Sequence, residues 1–135
     1  MSDSALPLVK AIIAKLKATT AITNIVGQRI YSIVPQQAAF PYIKISVSSE
    51  DWSAKDFVGM AHRLRVQGFS RQASIKEAGD IRAAVITALE RQESALTIDS
   101  PYTIIRLDKS SLSDIITNED GETQQSIVEF EVIIQ

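Results

Sequence analysis

Apolar residues recur along the start of the chain at helical spacing. Between Ser4 and about Ala18, Leu6, Val9, Ile13 and Leu16 share one face, and Leu8 and Ile12 widen the stripe, which predicts an amphipathic helix. Ser4 can cap it, and Pro7 falls in the first turn, where amides lack helical partners anyway. Lys10 and Lys17 point away from the stripe, and Lys15 flanks it. Thr19 and Thr20 weaken the helical preference. Ala21 to Val26 reads as a short second helical turn, stopped by Gly27.

The period then changes. Over Pro41 to Ser49, Ile43, Ile45 and Val47 alternate with Tyr42, Lys44, Ser46 and Ser48, the pattern of a half-buried strand. Pro41 suits a first strand residue, since it donates no ladder hydrogen bond there. Glu50 to Met60 reads as a polar loop. Ala61 to Ser70 is a second strand, with Leu64 and Val66 on one face and Arg63, Arg65 and Gln67 on the other. Gly68 within it marks a bulge or a close backbone approach.

Ser74-Ile75-Lys76-Glu77 has the form of a capping box. The helix it opens runs to about Glu90, with Ile75, Ala78, Ile81, Val85, Ala88 and Leu89 on its apolar face. Gly79 costs ~1 kcal/mol relative to alanine in mid-helix, so its presence predicts tight packing. Tyr102 to Asp108 is another strand, Ile105 and Leu107 facing one way and Ile104 and Arg106 the other. Leu112 to Thr117 and Thr123 to Ile134 flank a hairpin turn at Asp120-Gly121, where glycine accepts the positive φ required. In the last strand Val128, Phe130, Val132 and Ile134 oppose Ile127, Glu129, Glu131 and Ile133, and the two glutamates can pair with Arg63 and Arg65 across the sheet. The expected fold is α+β: one domain over residues 1–135, an antiparallel sheet with two main helices packed on one face.

Composition narrows the functional classes. The 135 residues are 45% hydrophobic and 22% charged, ordinary for a globular protein. There is no cysteine, hence no disulfide, thiolate metal site or cysteine nucleophile. A net charge of −2, from 14 basic and 16 acidic residues spread along the chain, gives no electrostatic argument for nucleic acid. No apolar run reaches the ~18 residues of a membrane span. Asp3 and the lysines at 10, 15 and 17 are inconsistent with a signal peptide.

Catalytic patterns are scarce. His62 is the only histidine. It reads as solvated or structural, with a general base in concert with Glu50 or Asp51 as the rival. Ser48, Ser49, Ser110 and Ser111 lie near loops, with no base and orienting acid implied by spacing. Glu50 with Asp51, and Glu119 with Asp120 and Glu122, lack the regular offsets of a calcium loop. No cofactor or metal is expected. Trp52, the only tryptophan, sits in the polar loop. It either folds over the core edge or anchors a partner protein.

One stretch is unusual. Gly27 to Ile45 holds two prolines and several apolar residues but only Arg29 and Lys44 as charges. Ile30, Ile33 and Phe40 are expected to fold onto the core. It contains Gly27-Gln28-Arg29-Ile30-Tyr31, then Pro35-Gln36, then Phe40-Pro41-Tyr42-Ile43. Gly68-Phe69-Ser70-Arg71 leads into the capped helix, and Asp120-Gly121 precedes the final alternating strand. This ordered set resembles the tail-completion, or tail-terminator, family of long-tailed bacteriophages and related prophages, over nearly the whole chain. Phe69-Ser70-Arg71-Gln72 departs from the Trp-Ser pair common there.

The resemblance implies a structural virion protein without catalysis. Such proteins form a ring, usually a hexamer, on the head-proximal end of the tail tube. The ring stops tube polymerisation and joins the tail to the head connector. The implied partners are other copies of the chain, the tail tube protein and the head–tail connector; DNA passes through the lumen without specific binding, and no membrane is involved. The implied location is the virion tail, with the host cytoplasm during assembly. A head–tail connector or stopper protein is the nearest alternative. A small ligand-binding or hydrolytic domain using His62 is the alternative of another class. Candidate assembly residues are Arg29, Tyr31, Pro35 and Phe40 in the apolar stretch, Trp52, Lys55 and Asp56 in the loop, and Glu119, Asp120 and Gly121 at the hairpin tip.

Overall fold

The computed structural model describes residues 4–51, 59–72, 74–99 and 101–135. Along the chain come α1 (Ala5–Lys17), α2 (Thr20–Val26), β1 (Ile30–Tyr31), β2 (Tyr42–Asp51), β3 (Met60–Ser70), α3 (Lys76–Leu89), a 3₁₀ turn (Glu93–Ala95), β4 (Ile104–Thr117) and β5 (Gln124–Ile134). The strands form one sheet in the order β1-β2-β3-β5-β4. All pairs are antiparallel except β1 with β2, which is parallel. The expected α+β layering is therefore present. The short parallel strand β1 is an addition that its two residues could not signal as a period.

Alternation explains why the middle strands form. In β3, His62, Leu64, Val66, Gly68 and Ser70 are buried, while Arg63 and Arg65 are exposed. Ile43 and Ile45 of β2 and Val128, Phe130, Val132 and Ile134 of β5 complete that face, and α1 and α3 cover it. On α1 the buried stripe is Leu8, Ala11, Ile12 and Leu16. Fully burying one such aliphatic side chain contributes roughly 1.5–3 kcal/mol. Leu6, expected on that stripe, is 77% exposed. The stripe is rotated so that Leu6, Lys10 and Lys17 share the outer face.

The strand at Gly68 has no bulge; its pairing to both neighbours is regular. The glycine instead marks a close approach. A Cβ there would lie 2.5 Å from Ile81 Cγ2 and 2.8 Å from Ser126 Oγ. Gly79 is the opposite case. A Cβ there would meet only Ile115 Cδ1, at 3.7 Å, an ordinary contact. The tight packing of α3 is at Gly68, on the sheet side.

Several local expectations give way to tertiary contacts. The capping box does not form: α3 starts at Lys76, the Ser74 hydroxyl accepts from the Lys76 amide at 3.3 Å, and Glu77 instead accepts from the Ser70 hydroxyl at 2.7 Å. Ile75 lies before the helix and is 58% exposed. The two strands expected between Tyr102 and Thr117 are one, β4, with register shifts at Ile104/Arg106 and Lys109/Ser113. The first shift inserts a residue and breaks the alternation, so Ile104 and Leu107 are buried and Ile105 is 47% exposed. The outer edge of β4 is partly occupied. Leu107 O accepts from the Arg91 amide at 2.8 Å, and the Asp114 carboxylate accepts from the Ile115 amide at 2.8 Å.

His62 braces the other end of the molecule. Its ring is 1% exposed. Nε2 lies 2.7 Å from the Ser4 hydroxyl and Nδ1 2.6 Å from the Ser49 hydroxyl. Ser4 therefore ties the start of α1 to the β2–β3 pair; its hydroxyl makes no helix-capping bond.

These contacts predict opposite outcomes for two glycine substitutions. Gly68→Ala overpacks the α3–sheet contact and should cost about 1–3 kcal/mol. Gly79→Ala should be neutral or stabilise by up to ~1 kcal/mol. Urea denaturation of both variants beside the parent chain measures each difference.

Candidate functional site

The Gly27–Phe40 segment is held by its ends. Gly27 adopts φ 61 as the C-cap of α2. The Arg29 guanidinium Nε donates to the Pro41 carbonyl at 2.8 Å, and the Ile43 amide donates to the Arg29 carbonyl at 2.9 Å. Ile30 is buried in the core, 3% exposed. Ile33, expected to follow it, is 86% exposed. It lies beyond the two residues of β1, where the chain leaves the sheet.

Between these points the segment rests on an aromatic cluster. Tyr42 and Phe69 are direct cross-strand partners and stack with centroids 4.9 Å apart. Phe40 and Tyr31 pack on Tyr42 at 5.1 and 6.1 Å. Pairs at these separations add about 0.5–1.5 kcal/mol beyond area burial. Tyr42 and Phe69 lie on the sheet face away from the helices, among the polar positions of β2 and β3. Burial raises the Tyr42 phenol above its ordinary 10.0, opposed by Arg71. An open pocket of about 340 Å³ lies beside the cluster, lined by Val34, Pro35, Gln37, Ala38, Phe40, Tyr42 and Arg71. Gln37 holds φ 60 on its wall, a conformation uncommon outside glycine.

Arg71 joins this cluster to the β4–β5 hairpin. Its guanidinium sits 4.3 Å from the Phe40 ring centroid, and its Nε donates to the Thr123 hydroxyl at 3.2 Å. That hydroxyl donates to Asp120 Oδ2 at 2.8 Å. Asp120 Oδ1 accepts from the amides of Thr123 and Glu122, both at 2.9 Å. Gly121 takes φ 71 at the turn. The Thr123 and Glu122 amides, with the Thr123 hydroxyl and the nearby Arg71 charge, hold the Asp120 carboxyl below its ordinary 3.8 although it is fully exposed.

Of the residues singled out in the sequence, Tyr31, Pro35, Phe40 and Asp120 thus meet at one end of the sheet. Arg29 is there too, but its side chain is engaged with the backbone. Glu119 and Gly121 are exposed on the same hairpin tip. Trp52, Lys55 and Asp56 lie outside the described residues. Phe69 and Arg71, central to the cluster, were missed as site residues. Their signal was an aromatic on the polar face of each of two neighbouring strands.

The exposed large apolar residues follow the same division. Ile116 shares the cross-strand row of Gln125, Phe69 and Tyr42. Ile33 and Ile75 lie at that end as well, after β1 and before α3. Leu6 and Ile105 lie at the other end, beside Ser4 and next to the Ile104–Ile134–Met60 row. Between the ends the open sheet face is charged. Arg65 donates twice to Glu129 Oε2, at 3.1 and 2.6 Å, Arg63 lies 3.7 Å from Oε1, and Arg106 lies 3.9 Å from Glu131.

The family model for Tail completion protein gp17 matches residues 10–135. A chain from a solved structure described as "Virion of native gene transfer agent (GTA) particle" superimposes with a TM-score of 0.85, covering 98% of each chain at 20% identity. At that identity the likeness is one of fold. Comparison with functionally curated proteins gives no match.

The Asp120 network makes a pH prediction. A depressed native pKa contributes stability that is complete above the ordinary 3.8 and is lost as pH falls from there through the lowered native value. The amide resonances of Glu122 and Thr123 should therefore titrate with a midpoint below 3.8. Asp120→Asn should abolish that titration in the same NMR experiment.

Proposed function

The chain belongs to the Tail completion protein gp17 family, and on that premise we propose that it is a non-catalytic subunit of a phage-type tail. In this reading, copies form a homo-oligomeric ring, a hexamer, on the head-proximal end of the tail tube. The ring stops tube growth and presents its other side to the head–tail connector. DNA passes through the lumen without specific contacts. The subunit is made in the host cytoplasm and ends in the virion tail.

The observation that carries the reading is the family match over residues 10–135. The distribution of exposed apolar side chains supports it. A ring subunit needs apolar contacts on more than one side, and Ile33, Ile75 and Ile116 lie exposed at one end of the sheet with Leu6 and Ile105 at the other. The open sheet face suits a sliding polyanion, because its arginines are engaged by carboxylates and a channel should not grip what must move through it.

Mass photometry at micromolar concentration, with and without tail tubes of the same particle, tests the ring. Rings on tube ends and tubes of uniform length are expected. A chain that stays monomeric under both conditions sinks the ring. A chain that binds portal-filled heads but not tubes is a connector or stopper instead.

A hydrolytic reading has one observation in its favour, the Ser49 hydroxyl 2.6 Å from His62 Nδ1. The ring itself is buried, whereas a general base must reach the reacting group. Folded His62→Gln protein is expected to cap tubes as the parent does; loss of capping with an unchanged circular dichroism spectrum would count against a purely structural histidine.

A further inference from the structure

We propose that the subunits join head to tail through two specific patches: the outer face of α1 on one copy and the aromatic pocket with its acidic hairpin rim on the next. This rests on the ring reading above and names the surfaces that make the ring.

The first patch is the outer face of α1, with an aliphatic anchor at its start and lysines spaced along it. Leu6 is 77% exposed in the first turn of α1, and the Lys10 side chain is 71% exposed one turn later. Lys17 is exposed near the helix end. All three point away from the buried Leu8–Ile12–Leu16 stripe, since positions 6, 10 and 17 fall on one side at 3.6 residues per turn. Lys10 contacts Asp99 at 3.3 Å, but both partners are more than half exposed. Such a pair is worth about 0.2–1 kcal/mol and exchanges readily.

The second patch is its complement. The pocket beside Phe40 and Tyr42 has room for an aliphatic side chain, and Ile33 stands exposed next to it. Glu119 and Glu122 are exposed on the hairpin tip and form no ion pair among the described residues. The tip is fixed relative to the pocket through the Asp120–Thr123–Arg71–Phe40 chain of contacts. The recess sets Val34, Phe40 and Tyr42 beside Gln37 and the Arg71 guanidinium, with the carboxylates on the neighbouring hairpin tip, and its match is a leucine with lysines further along the same helix face.

The two patches differ, and the Leu6 anchor and the pocket lie toward opposite ends of the sheet. One subunit therefore cannot satisfy its own pair, and the contact is heterologous. Heterologous contacts generate rings when the rotation closes.

The cysteine-free chain makes a clean cross-linking test. Leu6→Cys and Ile33→Cys are placed in one chain, treated with a short bismaleimide with and without tail tubes, and run on a denaturing gel. A ladder of covalent oligomers is expected from the double variant, and none beyond a dimer from either single variant. Glu119→Lys with Glu122→Lys should weaken association about tenfold or more, and adding Lys10→Glu with Lys17→Glu should restore it. Rings that form but give no ladder, and that ignore both charge reversals, overturn these surfaces and leave the ring reading standing. Absence of any ring on tubes overturns the ring reading and this pairing with it.

Discussion

The height of α3 above the sheet is set by one contact. Ile81 reaches the bare backbone of Gly68, and no side chain fits between them. β3 is the central strand, paired to β2 on one side and β5 on the other. Whatever fixes α3 on β3 therefore fixes the helix against the whole sheet. The bond from Ser70 to Glu77 follows from it. Once α3 is seated, its first turn lies over the end of β3, and Glu77 finds a tertiary donor in place of the local one its sequence offers. Close packing of this kind does not deform gradually. The aromatic cluster begins at Phe69, the next residue along β3, so its position inherits the same precision.

The sequence carried the layering well and the ends poorly. Periodicity reports which side of an element is buried, and it located α1, α3, β2, β3 and β5 to within a few residues. It does not report where the covering layer stops. Leu6 is exposed because the buried stripe of α1 is rotated away from it, and Ile75 because it lies before the start of α3. The register shift at Ile104/Arg106 is invisible to a period-two count, since inserting one residue exchanges inside for outside without changing composition. The same limit hid part of the site. Tyr31, Phe40 and Asp120 stood out as an aromatic in an odd loop or a turn residue. Phe69 and Arg71 acquire meaning only once β3 places them beside Tyr42 and Thr123. His62 likewise read as one isolated histidine, because its partners Ser4 and Ser49 come from distant parts of the chain.

The molecule separates its buried core from its exposed apolar side chains spatially. The helix-covered face holds the aliphatic core, the open face holds balanced ion pairs, and the exposed apolar side chains lie toward the two ends. The segment that carries Ile33 is anchored on both sides: Ile30 in the core, Arg29 on the Pro41 carbonyl, Phe40 under Arg71. If Ile33 makes the contact proposed above, a residue mounted this way loses little conformational freedom on binding, which is what preorganisation means in energetic terms.

The partly occupied edge of β4 has a consequence for how far association can go. A bare strand edge accepts any other strand, and each addition exposes a new edge, so growth by that route has no natural end. Here the Arg91 amide and the Asp114 carboxylate take up positions on that edge, and two register shifts distort the ladder. In the ring reading proposed above, association falls to side chains, whose shape and charge define an angle between neighbours. An angle can close on itself after a set number of copies, and stoichiometry then becomes a property encoded in the surface rather than in the concentration.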